Sequence, residues 1–151
     1  MKIIEITNSN FDKNYIKQIL LKKTCFIGVF SKLCIHCQNM QPEWKKLKEK
    51  LRSLKCNGIL LEIDANQLNY IDYSSLTETL QGFPAILVFK NGKKRKDYEG
   101  DRTSEQMFKF VKPYLVMGEK NARQTKKNNK KFKKTKGKTK KGKIIRRTRE
   151  N

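Results

Sequence analysis

No stretch of this sequence approaches the roughly 18 apolar residues of a membrane-spanning helix, and its N-terminus, MKIIEITNSNFDKNYI, interrupts every apolar pair with a polar residue. A secretory signal needs an unbroken apolar core, so none is expected here. Acidic side chains are scarce, 14 against 36 lysines and arginines, and hydrophobic residues make up only 36% of the chain. There is one histidine and one tryptophan. The cysteines form a single C-x-x-C with two isolated partners, Cys25 and Cys56, so the second knuckle of a zinc site is missing and no metal is expected. With no secretory signal, four cysteines read as redox-active thiols in a reducing compartment rather than as a disulfide scaffold. The expected location is cytoplasm, nucleus or virion.

What is present is unevenly spread. Residues 119–151 hold 16 basic and 2 acidic side chains, whereas residues 1–118 hold 20 and 12. That division excludes a wholly disordered or collagen-like protein, and the length excludes two domains. It predicts one compact domain over residues 1–117 and a basic arm over residues 118–151. The arm cannot bury enough apolar surface to offset its ordering entropy, so disorder is expected. Its charge suits nucleic acid or another polyanion, or nuclear targeting, without sequence preference. A lone Phe132 is too little for a base-stacking surface. A merely solubilising arm is the plainer alternative.

Within the domain, KIIEIT (2–7), CFIGVF (25–30), ILLEI (59–63) and AILVF (85–89) read as strands, the middle ones buried on both faces. Asn91-Gly92 predicts a tight hairpin into a strand ending near Tyr98. Helical spacing appears from Phe11 to Leu20, with Asn10 or Asp12 as cap, and from Met40 through Trp44, Leu47 and Leu51 to Leu54. Pro42 is expected to kink the second helix. A polar, partly helical segment covers 67–81, and a last helix runs from about Thr103 to Leu115. The order β-α-β-α-β-α-β-β-α predicts an α/β domain with a mixed central sheet flanked by helices.

The chemistry concentrates at Cys34, Ile35, His36 and Cys37, just after a buried strand and at the start of a helix. Unpaired N–H groups and the dipole of a helix N-terminus stabilise a thiolate. Two cysteines about one turn apart can close a small disulfide. Cys34 is expected to be exposed and to attack; Cys37, one turn in, to be shielded and to resolve the mixed disulfide. Trp44 and Cys25 are expected in the core.

These segments, with EIDAN, GFPAILVFKNGK and YEGDRTSEQMFKFV, resemble a thioredoxin-fold domain of the protein disulfide isomerase type over residues 2–116. The resemblance implies disulfide exchange without a cofactor, acting on protein thiols and disulfides. It implies that Cys34 attacks and Cys37 resolves, that His36 tunes the pair toward oxidation, and that Pro84 is a cis-proline whose preceding residue, Phe83, meets the substrate backbone. Arg102 matches an arginine that lowers the resolving thiol's pKa. Three positions depart from the family. Leu33 replaces a tryptophan and Ile35 a glycine or proline. Gly28, six residues before Cys34, stands where the family buries a proton-relaying carboxylate, and Glu62 stands where it has the partner lysine. The paired change predicts that Glu62 fills the space beside Gly28 and takes over the relay. The composition, rich in lysine, asparagine and isoleucine, is similar to redox proteins of large cytoplasmic DNA viruses. A redox-inactive thioredoxin-like binding module tethered to a polyanion is the alternative, favoured by Gly28 and Leu33.

Overall fold

The computed structural model of the chain describes residues 1–115; the predicted basic arm and the boundary at 117 lie outside the described residues. In chain order come β1 (Lys2–Ile6), α1 (Lys13–Lys22), β2 (Thr24–Phe30), α2 (Ile35–Arg52), β3 (Ile59–Asp64), a 3₁₀ turn (Ala65–Gln67), α3 (Leu68–Ile71), α4 (Ser74–Thr77), β4 (Ala85–Lys90) and β5 (Lys93–Asp97). A last helix, α5, covers 104–115. The strands lie in the order β1-β3-β2-β4-β5, with β1, β3 and β2 parallel and β4 and β5 antiparallel. This is the thioredoxin-like α/β fold.

Period-two alternation explains why the central strands are apolar throughout. In β2, Cys25, Ile27 and Val29 face the cluster formed with α1, α3 and α4, while Phe26 and Phe30 face the cluster formed with α2 and α5. In β3, Ile59, Leu61 and Ile63 take the first side and Leu60 the second. Glu62 shares the parity of Leu60 and therefore looks toward α2.

Local signals act where the sequence places them. The Asp12 carboxylate accepts the Asn14 and Tyr15 N–H groups and caps α1. Asn91 and Gly92 both adopt positive φ, 53° and 75°, the pair a two-residue hairpin requires. α2 passes through Pro42 without ending. At α5, the Thr103 hydroxyl accepts the Gln106 N–H, and the first helical N–H, that of Ser104, goes to the Glu43 carboxylate of α2 at 2.8 Å. That contact fastens α5 to the helix carrying the cysteines. Segment 67–81 differs from a single helix: Asp72 takes a left-handed φ of 48° and splits it into α3 and α4.

Cys25 is fully buried on the α1 side, and burial raises its thiol to about 12 against the charge of Lys23. Burial likewise holds Cys37 protonated, up to about 11. Both thiols therefore keep protons in the folded state that the unfolded chain releases above pH 9, so stability falls as pH rises. For the reduced protein, the unfolding free energy should decline from about pH 9 toward pH 11, by at most about 1.4 kcal/mol per pH unit for each thiol, and the melting temperature with it. In Cys25→Val the decline should be shallower; an identical slope would show that Cys25 titrates normally.

Candidate active site

The sheet delivers β2 to the N-terminus of α2, and the two cysteines meet there. Cys34 is the N-cap: its sulfur accepts the Cys37 N–H at 3.3 Å, in the place a serine or aspartate oxygen would occupy. A hydrogen bond from the Cys37 thiol lowers the Cys34 pKa below its ordinary value. The backbone N–H groups of Cys37 and His36 and the charge of Arg102 add to this, while partial loss of hydration opposes it. Cys37 is 1% exposed. Burial raises its thiol first, and the bond it gives to Cys34 adds to that. The Ser31 N–H, 3.5 Å from its sulfur, and the Arg102 charge pull the other way without winning. Neighbouring thiols are thereby split into a reachable one that ionises readily and a shielded one that holds its proton.

Opposite Cys34 stands the loop before β4. The Phe83–Pro84 peptide bond is cis, and the Phe83 carbonyl oxygen lies 3.5 Å from the Cys34 sulfur. Leu33, Ile35 and Phe83 are 96%, 59% and 40% exposed, so an apolar rim surrounds the reachable thiol of the pair. His36 is exposed beside it, and its contact with Cys34 is through its backbone N–H.

On the other side of α2 a cavity of about 280 Å³ is lined by Cys37, Phe30, Ser31, Lys32, Glu62 and Asp64. Gly28 and Glu62 are register partners on β2 and β3. The space beside Gly28 is nevertheless taken, and not by Glu62. A Cβ at Gly28 would stand 2.5 Å from the Trp44 ring and 2.7 Å from that of Phe30. This corrects the expected placement: an indole from α2 is large enough to fill the gap, and it turns the carboxylate aside. Glu62 instead accepts the Trp44 indole N–H at 3.0 Å and pairs with Lys48 at 2.6 Å; Lys48 also reaches Glu5 at 2.9 Å. The carboxylate is thus anchored on α2 while it forms part of the wall shared with Cys37.

The thioredoxin family model matches residues 2–113 of this chain. The chain belongs to the thioredoxin family. Among the curated relatives of this thioredoxin domain, human protein disulfide-isomerase A6 is 30% identical over 105 residues, covering 67% of the chain and 22% of that protein. Protein disulfide-isomerase of Medicago sativa is 30% identical over 113 residues, covering 73% and 21%. The chain thus spans about a fifth of the length of these relatives. Among solved structures, the first two thioredoxin domains of Naumovozyma dairenensis Eps1p are 27% identical, with a TM-score of 0.55 over 72% of this chain and 39% of that one. The first thioredoxin domain of mouse protein disulfide-isomerase A4 is 24% identical, with a TM-score of 0.55 over 74% and 72%, and shares the fold.

Within this thioredoxin domain, Cys34, Cys37, His36, Phe83, Pro84 and Arg102 come together at one end of the sheet, and Glu62 lies behind Cys37. Sequence reading missed Lys48 and Trp44 as the partners of Glu62. Their i,i+4 spacing on α2 was a usable signal, since it sets both on the helix face that covers β3. Among the described residues, no group of three or more His, Cys, Asp or Glu is placed to hold a metal ion, and no helix is long and apolar enough to cross a membrane.

Proposed function

We propose that this domain is a protein thiol–disulfide oxidoreductase that works through Cys34 and Cys37. The observation that carries the reading is the split between the two thiols: Cys34 lowered and reachable at a helix N-cap, Cys37 buried, raised to about 11 and hydrogen-bonded to it. The Cys34 thiolate attacks one sulfur of a substrate disulfide. The substrate S–S bond breaks, a mixed disulfide forms, and the other substrate sulfur leaves as a thiolate and takes up a proton. Cys37 then gives up its proton and attacks Cys34, which expels the second substrate thiol and leaves a Cys34–Cys37 disulfide. Two electrons have passed to the substrate. Run in reverse, the same steps oxidise a dithiol; when a different substrate thiolate attacks the mixed disulfide and expels Cys34, a substrate disulfide is isomerised.

His36 and the disulfide isomerase relatives support the oxidising or isomerising direction. The Phe83 carbonyl, beside Cys34, is placed to accept an N–H from a bound peptide, and the Leu33–Ile35–Phe83 rim favours apolar side chains flanking the substrate cysteine. Equilibration with glutathione buffers and thiol trapping tests the direction. A potential of about −180 mV is expected, the value of a disulfide isomerase; one of about −270 mV would make the protein a reductant. Failure of any Cys34–Cys37 disulfide to form would favour a redox-inactive binding module, the reading that Gly28 and Leu33 support. In the redox reading, residues 119–151 localise the domain beside a polyanion, in cytoplasm, nucleus or virion.

Glu62 is assigned as the proton acceptor for Cys37, through water in the cavity they share. Release of the mixed disulfide should slow roughly 10²-fold in Glu62→Gln, the low end of what a positioned base contributes. The first attack by Cys34 should keep its rate. Equal release rates for the two proteins would remove Glu62 from the mechanism.

A further inference from the structure

The end of the sheet opposite the cysteines has a chemistry of its own. Strand register lays out its last row as Lys2 on β1, Ile59 on β3, Cys25 and Thr24 on β2, Lys90 on β4 and Lys93 on β5. α1 delivers Lys22 and Lys23 to the same end, because the Gly92 N–H of the hairpin bonds to the Leu20 carbonyl at 3.0 Å. Lys22, Lys23 and Lys93 are exposed. Among the described residues none of the three has an ion-pair or hydrogen-bond partner for its side chain. The nearest hairpin acid, Asp97, is taken by Lys94 at 2.8 Å. Between α1 and the start of β1, Lys2, Lys22, Lys23, Tyr15, Gln18 and Asn57 line an open cavity of about 380 Å³.

At the redox end the charges are mixed: Asp64 lines the cavity of Cys37 and pairs with Lys32 at 3.3 Å, and Asp101 stands next to Arg102. The lysine end and the thiol end are separated by the length of β2, about 20 Å. The last described turn of α5 ends on the basic side. Leu115 lies against Gly58, where an added Cβ would stand 2.2 Å from it and 3.5 Å from the Thr24 carbonyl. In the sequence, the 16 basic residues of 119–151 follow α5.

We propose that this end of the folded domain is a sequence-independent binding surface for a nucleic-acid backbone, with Lys22, Lys23 and Lys93 contacting phosphates. Lysines as separate point charges suit phosphates, which position a protein without reading sequence. Protein interfaces are depleted in lysine and enriched in aromatic anchors. An interfacial membrane site would need an apolar face, and only Leu21 and Tyr15 are exposed there. Binding at this end leaves Cys34 free for a protein partner, so the inference does not depend on the redox reading.

The test uses the full chain and a fluorescent mixed-sequence 20-base-pair duplex, with affinity measured by anisotropy between about 50 and 200 mM salt. In the triple variant Lys22→Gln, Lys23→Gln, Lys93→Gln, the slope of log affinity against log salt should become shallower by about 2 to 3, at roughly 0.9 per phosphate contact. The control Lys13→Gln, Lys45→Gln, Lys109→Gln removes the same charge from elsewhere and should keep the wild-type slope. Matching melting temperatures exclude a folding defect. Equal slopes for the two triple variants would place binding on 119–151 alone and overturn the proposal. So would absence of duplex binding, or loss of binding by the first variant only to vesicles of anionic phospholipid or to polyglutamate.

Discussion

Replacing Cys34 by serine should reduce disulfide exchange on a protein substrate by on the order of 10³-fold or more, because the accessible thiol of the pair is lost and Cys37, 1% exposed, cannot take its place. Cys37→Ser should behave differently. Its first step survives, and the substrate accumulates attached to Cys34, visible as a non-reducible-by-itself adduct in mass spectrometry. The two thiols should also separate by pH. The thiolate fraction grows as pH passes the pKa, so a lowered Cys34 is alkylated by iodoacetamide at lower pH than an ordinary thiol, while Cys37, near 11, stays unlabelled until far more alkaline conditions. Arg102→Ala should move both labelling profiles to higher pH, since its charge lowers both thiols. Equal labelling rates at pH 7 would remove the asymmetry on which the proposed chemistry depends.

Trp44→Ala should be the most destabilising single change in the domain, at about 3–5 kcal/mol out of the roughly 5–15 that a domain of this size possesses. Trp44 is fully buried, its ring centroid 4.9 Å from Phe30 and 5.8 Å from Phe26, and its N–H satisfies Glu62. Truncation leaves a cavity and also a carboxylate without one of its donors. The complementary change, Gly28→Ala, forces a Cβ against the same ring and should cost about 1–3 kcal/mol. Combined with Trp44→Phe, whose smaller ring withdraws, Gly28→Ala should cost clearly less than alone. Urea unfolding followed by circular dichroism measures all of these, since fluorescence is lost with the only tryptophan. Additive costs in the double variant would show that the two residues do not compete for space. The same crowding means that a carboxylate cannot be restored at position 28 by substitution there alone.

Much of the site is legible in the chain because it is local. Cys34 and Cys37 sit one helical turn apart right after an apolar strand, so helix-terminus chemistry follows from spacing. Asn91-Gly92 announces its hairpin because few other residues tolerate the positive φ. Trp44 and Cys25 are recognisably core from helical spacing and from a strand apolar at every position. Segment 67–81 was harder: its apolar residues serve two short helices that turn at Asp72, and no periodicity survives over four residues.

Glu62 marks where sequence reading stops. Its register beside Gly28 follows from aligning two apolar strands, but whether a carboxylate or an indole fills the gap depends on which helix covers that face and how far its side chains reach. Lys48 and Trp44 settle it from residues 14 and 18 positions away. The basic end is similar in kind. Lysines at 2, 22, 23, 90 and 93 are unremarkable in a lysine-rich chain, and only strand register and the hairpin's bond to α1 gather them opposite the thiols. By itself, then, the sequence determined most of the elements and the placement of Cys34 and Cys37 at a helix start, since backbone propensity and helix-end electrostatics act within a few residues. Tertiary structure alone decided what stands beside Gly28, what holds Glu62 and where the charge collects, because those contacts arise only when distant segments are packed and the larger side chain claims the space.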